Sequence, residues 1–355
     1  MSVFDSTEAA PKLARVAAGA PPRPIRARLV TTIAAYGAFA VVTCLLAPLV
    51  GSTQISFSRV FDRSIPFADN VDAQIFFVAR MPRVLAGAVV GATLAAAGVV
   101  LQALLRNPLA STDTLGVSAG AALGAIVTIV FGAAVTLGPL SPVPFASLVG
   151  AFLATWLVYA LATRTGRPMS TFVLLLAGVT LSSFFAALIM FVQYMSDFTE
   201  TFRTVRWLMG DLDVGSFTPI LGALPLLLAA FAMFAMLPSS LNLLSVGAEQ
   251  AATRGVDVAR VQRLAFISSA LATAGAVSLA GPIGFVGIVV PHLVRLMVGV
   301  DHRIVLPASA LFGAAFLVTC DVIARTVLAP VEVPVGVVTA MLGGPFFLWL
   351  LVRKS

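Results

Sequence analysis

Long apolar stretches recur along this chain, separated by short polar joints. They run from Leu29 to Val50, Val84 to Leu105, Thr114 to Gly138, Phe145 to Ala162, Thr171 to Met195, Phe217 to Leu237 and Leu264 to Leu279. Three more follow, at Ile283 to Val298, Ile304 to Leu328 and Val335 to Val352, which makes ten. A helix that spans the hydrocarbon core of a bilayer needs about 20 predominantly apolar residues, and most of these runs are that long or nearly so. Their ends collect Pro, Gly and charge, and none shows the alternation of a membrane β-barrel strand. Backbone groups in lipid must be satisfied within the segment, so each run reads as a helix. The predicted fold class is an all-α polytopic membrane protein of about ten transmembrane helices, some short or broken.

Composition supports that pattern. Hydrophobic residues make up 59% of the chain and charged residues 10%, with a mean hydropathy of +1.04; soluble domains carry about 25% charged residues. An even number of crossings puts both termini on one side. Most of the 22 Lys and Arg fall in joints on that side, from Lys12 and Arg15 through Arg106, Arg254 and Arg263 to Arg353 and Lys354. The positive-inside rule therefore predicts cytoplasmic termini. The net charge of +7 is mainly this topology bias and not a nucleic-acid-binding face. Residues 1–28 read as a polar cytoplasmic tail and residues 29–355 as one transmembrane domain. The first run exceeds the roughly 7–15 apolar residues of a signal peptide and reads as an uncleaved helix. Cys44 and Cys320 lie inside apolar runs, as small buried hydrophobes and not as a disulfide or metal site.

Arg80 and Arg83 run against the charge bias. The topology places them on the outer side, with Pro82 in the first turn of the second helix. An arginine at the bilayer centre costs about 2.5–3.5 kcal/mol on insertion scales, so both are expected at the interface, facing the outer water. Arg325 belongs to the outer end of the ninth helix, with Asp321 one turn earlier as a local partner. Singly, such residues anchor helix ends to lipid phosphates. Together, three outward cations suit an acidic protein partner.

On the inner side, Asn107-Pro108 forces a turn and Ser111 is placed to cap the next helix. Gly87 and Gly91, like Gly116, Gly120 and Gly124, stand four apart, a spacing that suits close helix packing in lipid. Between the sixth and seventh runs, residues 243–263 carry Glu249, Arg254, Asp257, Arg260 and Arg263 among small side chains. Ala248 to Thr253 reads as a short helix that stops at Gly255, and Asp257 as the N-cap of the next. The result is a compact helix-turn-helix on the membrane surface, either an amphipathic loop or a docking element for a cytoplasmic motor. Further on, Gly281, Pro282, Gly284 and Gly287 interrupt an apolar segment, and Pro291 interrupts it again. Broken helices at membrane depth are tolerated where they are buried in protein or line a cavity, as in transporters.

The stretches "RMPRVLAGAVVGATLAAAGVVLQALLRNPLA", "LGVSAGA", "GPIGFVGIVVPHLVRLMVGVDHR", "LPASALFGA" and "PVEVPVGVVTAMLGGPFFLWLL" occur in that order. Together they resemble the permease subunits of type II ABC importers for ferric siderophores, haem and cobalamin, over nearly the whole chain after residue 29. The resemblance implies a multi-pass protein of the inner (cytoplasmic) membrane that forms a homodimer around a central path. Two cytoplasmic ATPase subunits and a periplasmic substrate-binding protein are the implied partners. It also implies that Arg80, Arg83 and Arg325 meet acidic residues of the binding protein. Residues 243–263 match the coupling helices that sit against the ATPase, which points to Gly247, Glu249, Ala252, Arg254, Gly255 and Val256. Arg254 departs from the family, where an apolar residue more often precedes Gly-Val. In "ASTDTLG" the proline that commonly follows the "NPLA" turn is missing.

The chain holds no Walker A pattern, and its two lysines are Lys12 and Lys354. ATP and magnesium are therefore expected in the partner ATPase, with no cofactor or metal bound by this chain. In the resembled family the fifth helix lines the path, which nominates Thr180, Ser182, Ser183 and Gln193; the plainer reading makes them helix-packing polar groups. Haem is the first expectation for cargo, because "AATRGVDVARVQR" looks closest to haem permeases, ahead of a ferric siderophore and then cobalamin. Met195, Tyr194 and His292 are not assigned as haem ligands; His292 reads as a structural histidine. An ion-coupled transporter would need intramembrane carboxylates, and Asp321 is better explained by Arg325. A membrane enzyme would need a clustered acid, base or metal set that this sequence lacks.

Overall fold

The computed structural model describes residues 24–132, 141–163 and 171–354. Most of the expected tail (1–23), the end of the third run at Gly138, and Arg164 and Arg167 lie outside the described residues. Among the described residues the regular elements are all helices. Apart from short turns of helix at Ala47–Leu49, Phe57–Val60 and Thr112–Leu115, they are in chain order α1 (Ile25–Leu46), α2 (Val71–Leu105), α3 (Val117–Phe131), α4 (Pro142–Thr163), α5 (Thr171–Tyr194), α6 (Phe198–Leu208) and α7 (Thr218–Ala235). Then come α8 (Pro238–Leu244), α9 (Ala248–Thr253), α10 (Val258–Ala280), α11 (Val286–Val298), α12 (His302–Thr326) and α13 (Val335–Lys354). Seven of these, α1, α2, α4, α5, α7, α10 and α12, are long and apolar enough to cross a bilayer, and α3, α11 and α13 are shorter apolar helices. Each corresponds to one of the runs read from the sequence.

Helices α2, α10 and α12 are buried along most of their length and form the centre of the bundle. Helices α1, α4, α5 and α7 surround them and keep broad apolar faces open, such as Phe172, Leu176 and Val179 on α5. Apolar surface on that scale belongs against lipid or another chain and not against water. Missing side chains let helices meet at backbone distance, both at the centre and between α3 and α4. A Cβ on Gly91 would lie 2.7 Å from the Leu317 Cβ, and one on Gly120 would lie 2.5 Å from the Ala154 Cβ. The glycines four apart are thus packing contacts, as their spacing predicts.

The second helix starts earlier than its hydropathy shows. Asn70 caps it, with Oδ1 accepting from the Ala73 N–H at 3.0 Å. Pro82 is consequently not in the first turn but inside the helix, two residues past a π-helical stretch from Ile75 to Arg80. In that wide turn the Met81 N–H reaches the Phe76 carbonyl, which accommodates the ring and the missing donor of Pro82. Ser111 also differs from expectation. It precedes a 3-10 turn, Thr112–Leu115, but its hydroxyl makes no capping bond. The turn is closed instead by Thr114 Oγ1, which donates to the Ser111 carbonyl at 2.6 Å.

The chain breaks between α10 and α11 where the glycines predicted it, with Gly281 at φ 66° and Phe285 at φ 68°. Pro291, by contrast, does not break α11. Its missing N–H leaves the Gly287 carbonyl without the usual donor four residues on, and Gln102 Nε2 from α2 donates to that oxygen at 3.0 Å. Arg295 Nη1 in turn donates to Gln102 Oε1 at 2.5 Å, which fixes the amide orientation. Replacing Gln102 with leucine should orphan both groups and cost about 1–3 kcal/mol. The check is the thermal unfolding midpoint in detergent; an unchanged midpoint would contradict this role.

Candidate functional site

The three arginines nominated from the sequence converge where α2, at the end of its π-helical stretch, meets the end of α12. Arg83 Nε donates to Asp321 Oδ1 at 2.8 Å and its Nη1 donates to Glu332 Oε2 at 2.6 Å. Arg325 Nε lies 3.5 Å from Asp321 Oδ2, the expected one-turn pair, and its Nη2 donates to the Ala47 carbonyl at 3.0 Å. Arg80 bonds main chain: Nη1 donates to the Pro48 carbonyl at 2.8 Å and Nη2 donates to the Thr53 carbonyl. Gly51 makes room for that guanidinium, since a Cβ there would lie 2.6 Å from Arg80 Nη2.

These are not the water-facing cations that the sequence suggested. Arg80 is 6% exposed, Arg325 3% and Asp321 1%, and the Arg83 side chain is 11% exposed. Buried charge persists only when it is paired and hydrogen-bonded. Here the joint after α1 and the residues from Asp321 to Glu332 supply the partners. Glu332, at 41% side-chain exposure, is the carboxylate of this cluster that solvent reaches.

The cluster borders a cleft of about 690 Å³ that Arg80, Arg83, Arg325, Arg206, Asp211 and Glu332 help to line. Arg206 sits on α6, an amphipathic helix that follows α5. A capping box holds its start, with Asp197 accepting from the Glu200 N–H and Glu200 reaching back to the Asp197 N–H. Arg206 pairs with Asp211 at 3.2 Å on the exposed side of the cleft. A carboxylate arriving from solvent can replace Glu332 on Arg83 without changing the number of charges buried.

At the opposite end of the bundle, residues 243–263 fold as the sequence predicts. Helix α9 ends in a Schellman motif, in which the Val256 N–H bonds the Ala251 carbonyl and the Gly255 N–H bonds the Ala252 carbonyl. Gly255 supplies the required left-handed conformation at φ 81°, and Asp257 caps α10 by accepting from the Arg260 N–H at 3.0 Å. Glu249, Ala252, Arg254 and Gly255 are exposed, while Gly247 and Val256 are half-buried. The hairpin therefore presents a solvent-facing knob held by a buried Ala251.

Behind this knob stands Asp301. The Arg303 side chain beside it, together with the Asn242 amide, holds its carboxyl well below the usual carboxylate range. A depressed carboxyl contributes stability that is present above its unfolded pKa of about 3.9 and lost as pH falls toward its folded value. Unfolding at a series of pH values is expected to show Asp301→Asn losing sensitivity below about pH 4 relative to the parent protein.

The nominated pathway residues do not form one surface. Thr180 and Ser183 share an open face of α5, where Ser183 Oγ donates to the Val179 carbonyl at 3.1 Å. Ser182 instead turns into the packing against Gly116, and Gln193 is half-buried near the end of α5. His292 lies edge-on to Phe346 and Phe347 on α13. Cys44 and Cys320 are free thiols. Among the described residues no group of three His, Cys, Asp or Glu side chains is placed to hold a metal. Sequence reasoning missed Gln102, Asn242 and Glu332; of these, only Gln102, a polar residue within an apolar run, carried a visible signal.

Comparison with known proteins agrees with this architecture. Residues 39–353 match the FecCD transport family. A cobalamin import system permease of Halobacterium salinarum is 45% identical over 273 residues, covering 77% of this chain and 72% of that protein. A hemin transport system permease of Yersinia pestis is 37% identical over 318 residues, covering 88% of this chain and 93% of that protein. A solved inward-facing structure described as a metal-chelate type ABC transporter superposes with a TM-score of 0.77 at 31% identity, covering 92% of this chain and all of that one. A family match across the bundle, from α1 to α13, joins sequence and fold: this chain belongs to the FecCD transport family.

Proposed function

We propose that this permease of an ATP-driven importer carries haem across the cytoplasmic membrane by alternating access. The observation that supports haem is the relationship to the hemin permease, which extends over 93% of that protein. Cobalamin is the second reading, favoured by the higher identity of 45% to the cobalamin permease over a shorter span. A ferric siderophore is the third.

In this reading two copies of the chain enclose the path and two ATPase subunits supply ATP and magnesium chemistry, with no cofactor held by the permease itself. Arg254, Arg260, Arg263 and Arg303 mark the cytoplasmic end by the positive-inside rule. The exposed α9 knob, with Glu249 and Arg254, is the ATPase contact. Thr180 and Ser183 on the open face of α5 remain candidates for the path.

The cleft above Arg80, Arg83 and Arg325 receives a periplasmic binding protein. Of these three arginines, Arg83 is the one paired with a solvent-reached carboxylate, so docking swaps Glu332 for a carboxylate of the partner. Glu332→Gln removes the competing charge and is expected to tighten docking up to about fivefold, the size of an exposed ion pair worth up to about 1 kcal/mol. Weaker docking on a binding-protein sensor surface would contradict the exchange.

Cargo is tested by reconstituting permease, ATPase and binding protein in vesicles and comparing uptake of haem, cobalamin and a ferric siderophore. Haem uptake in excess of the other two is the expected result. Preference for cobalamin would establish the second reading in its place.

A further inference from the structure

The segment that leads into the α9 knob is fastened to α12 by one side chain. Asn242, on α8, donates from Nδ2 to Asp301 Oδ1 at 2.7 Å. Its Oδ1 accepts from the His302 backbone N–H at 2.8 Å and lies 2.7 Å from His302 Nδ1. The donor to Asp301 fixes the amide orientation, so Nδ1 of His302 carries a proton toward Asn242. Asp301 is the N-cap of α12, accepting from the Arg303 N–H at 3.0 Å. Asn242 therefore grips both the first free N–H of α12 and its capping carboxylate, while His302 is buried.

The other end of the same helix enters the arginine cluster. Helix α12 has 25 residues and so spans about 37 Å at 1.5 Å per residue. It carries Asn242's partners at its start and Asp321 and Arg325 at its end. Gly91 and Gly313 bring its backbone against α2, which bears Arg80 and Arg83. A displacement of α8 has a hydrogen-bonded route to the start of α12, and α12 has buried ion pairs at its far end.

We propose that Asn242 is a positioning residue that ties the ATPase-facing segment to α12, so that movement of the knob and occupancy of the arginine cleft bias each other through that helix. This rests on the importer reading above. Coupling between two sites is reciprocal in binding free energy and commonly amounts to about 5- to 150-fold.

The test uses the full complex in vesicles, with Asn242→Ala and Asn242→Ser beside the parent. Assembly with the ATPase and ATP hydrolysis without binding protein are read first, then the stimulation of hydrolysis by loaded binding protein and the cargo moved per ATP. The alanine variant is expected to keep assembly and unstimulated hydrolysis and to lose at least about fivefold of the stimulation, with a parallel fall in cargo per ATP. The serine variant, which keeps a polar group next to the His302 N–H, is expected to lose less. It also carries the test if the alanine variant assembles poorly. Unchanged stimulation and cargo per ATP in an assembled variant would overturn the proposal. Absence of ATP-dependent uptake by the parent complex would instead remove the importer reading.

Discussion

Asp321→Ala is expected to destabilise the permease by about 3–5 kcal/mol, the cost of leaving a buried charge without its partner. The carboxylate is 1% exposed and lies between Arg83, at 2.8 Å, and Arg325, at 3.5 Å. Without it, two largely buried guanidiniums face each other, and Arg325 keeps the Ala47 carbonyl as its hydrogen-bond partner. Asp321→Asn retains a hydrogen-bond acceptor for Arg83 but not the charge, and should fall between the alanine variant and the parent. Glu332→Gln removes a carboxylate from the same arginine at the exposed rim, and its effect on stability should not exceed about 1 kcal/mol. Thermal unfolding of the three purified variants in detergent checks the order. Similar midpoints for the Asp321 and Glu332 variants would show that burial does not govern this cluster.

The second large effect is expected at Gly98. A Cβ there would lie 2.6 Å from the Gly287 carbonyl carbon and 2.7 Å from its Cα. Both are main-chain atoms, so no rotamer change relieves the overlap, and α2 must move away from α11. That movement also pulls Gln102 from the carbonyl that Pro291 leaves open. Gly98→Ala should therefore cost at least the roughly 1–3 kcal/mol of an overpacked core, plus a similar amount for the lost hydrogen bond. Gly284→Ala, with nothing within 4 Å of the added Cβ, should stay within about 0.5 kcal/mol of the parent. Yield and unfolding midpoint of the two variants check the contrast; a tolerated Gly98→Ala would contradict the close crossing.

Much of the fold was legible because it follows from local rules. Apolar run length gave the ten helices, glycine spacing marked α2 and α3 as close-packing helices without naming their partners, and the Gly281 to Gly284 cluster gave the break before α11. The α9 knob was legible to the residue, since Gly255 and Asp257 are local stop and start signals. What stayed hidden depends on partners far along the chain. Arg83 reads as a surface cation until Asp321 and Glu332 fold beside it, 238 and 249 positions away. Pro291 reads as a helix breaker until Gln102 arrives from α2, 185 positions away from Gly287. Asn242 carries no local signal, because its importance lies in a helix start 59 positions downstream. The early start of α2 was masked by Asp72 and Gln74, polar residues that a hydropathy window counts against a helix.

A partner ATPase, and not an ion gradient, is expected to drive this bundle. The direct measurement is haem uptake into vesicles holding the permease with its ATPase and binding protein, with ATP inside or absent, and with an ATPase variant whose nucleotide site is disabled. Uptake that requires ATP, stops with the disabled ATPase and survives collapse of the proton and sodium gradients is the predicted result. Uptake of the chelate that persists without ATP and follows an imposed ion gradient would contradict an ATP-driven importer.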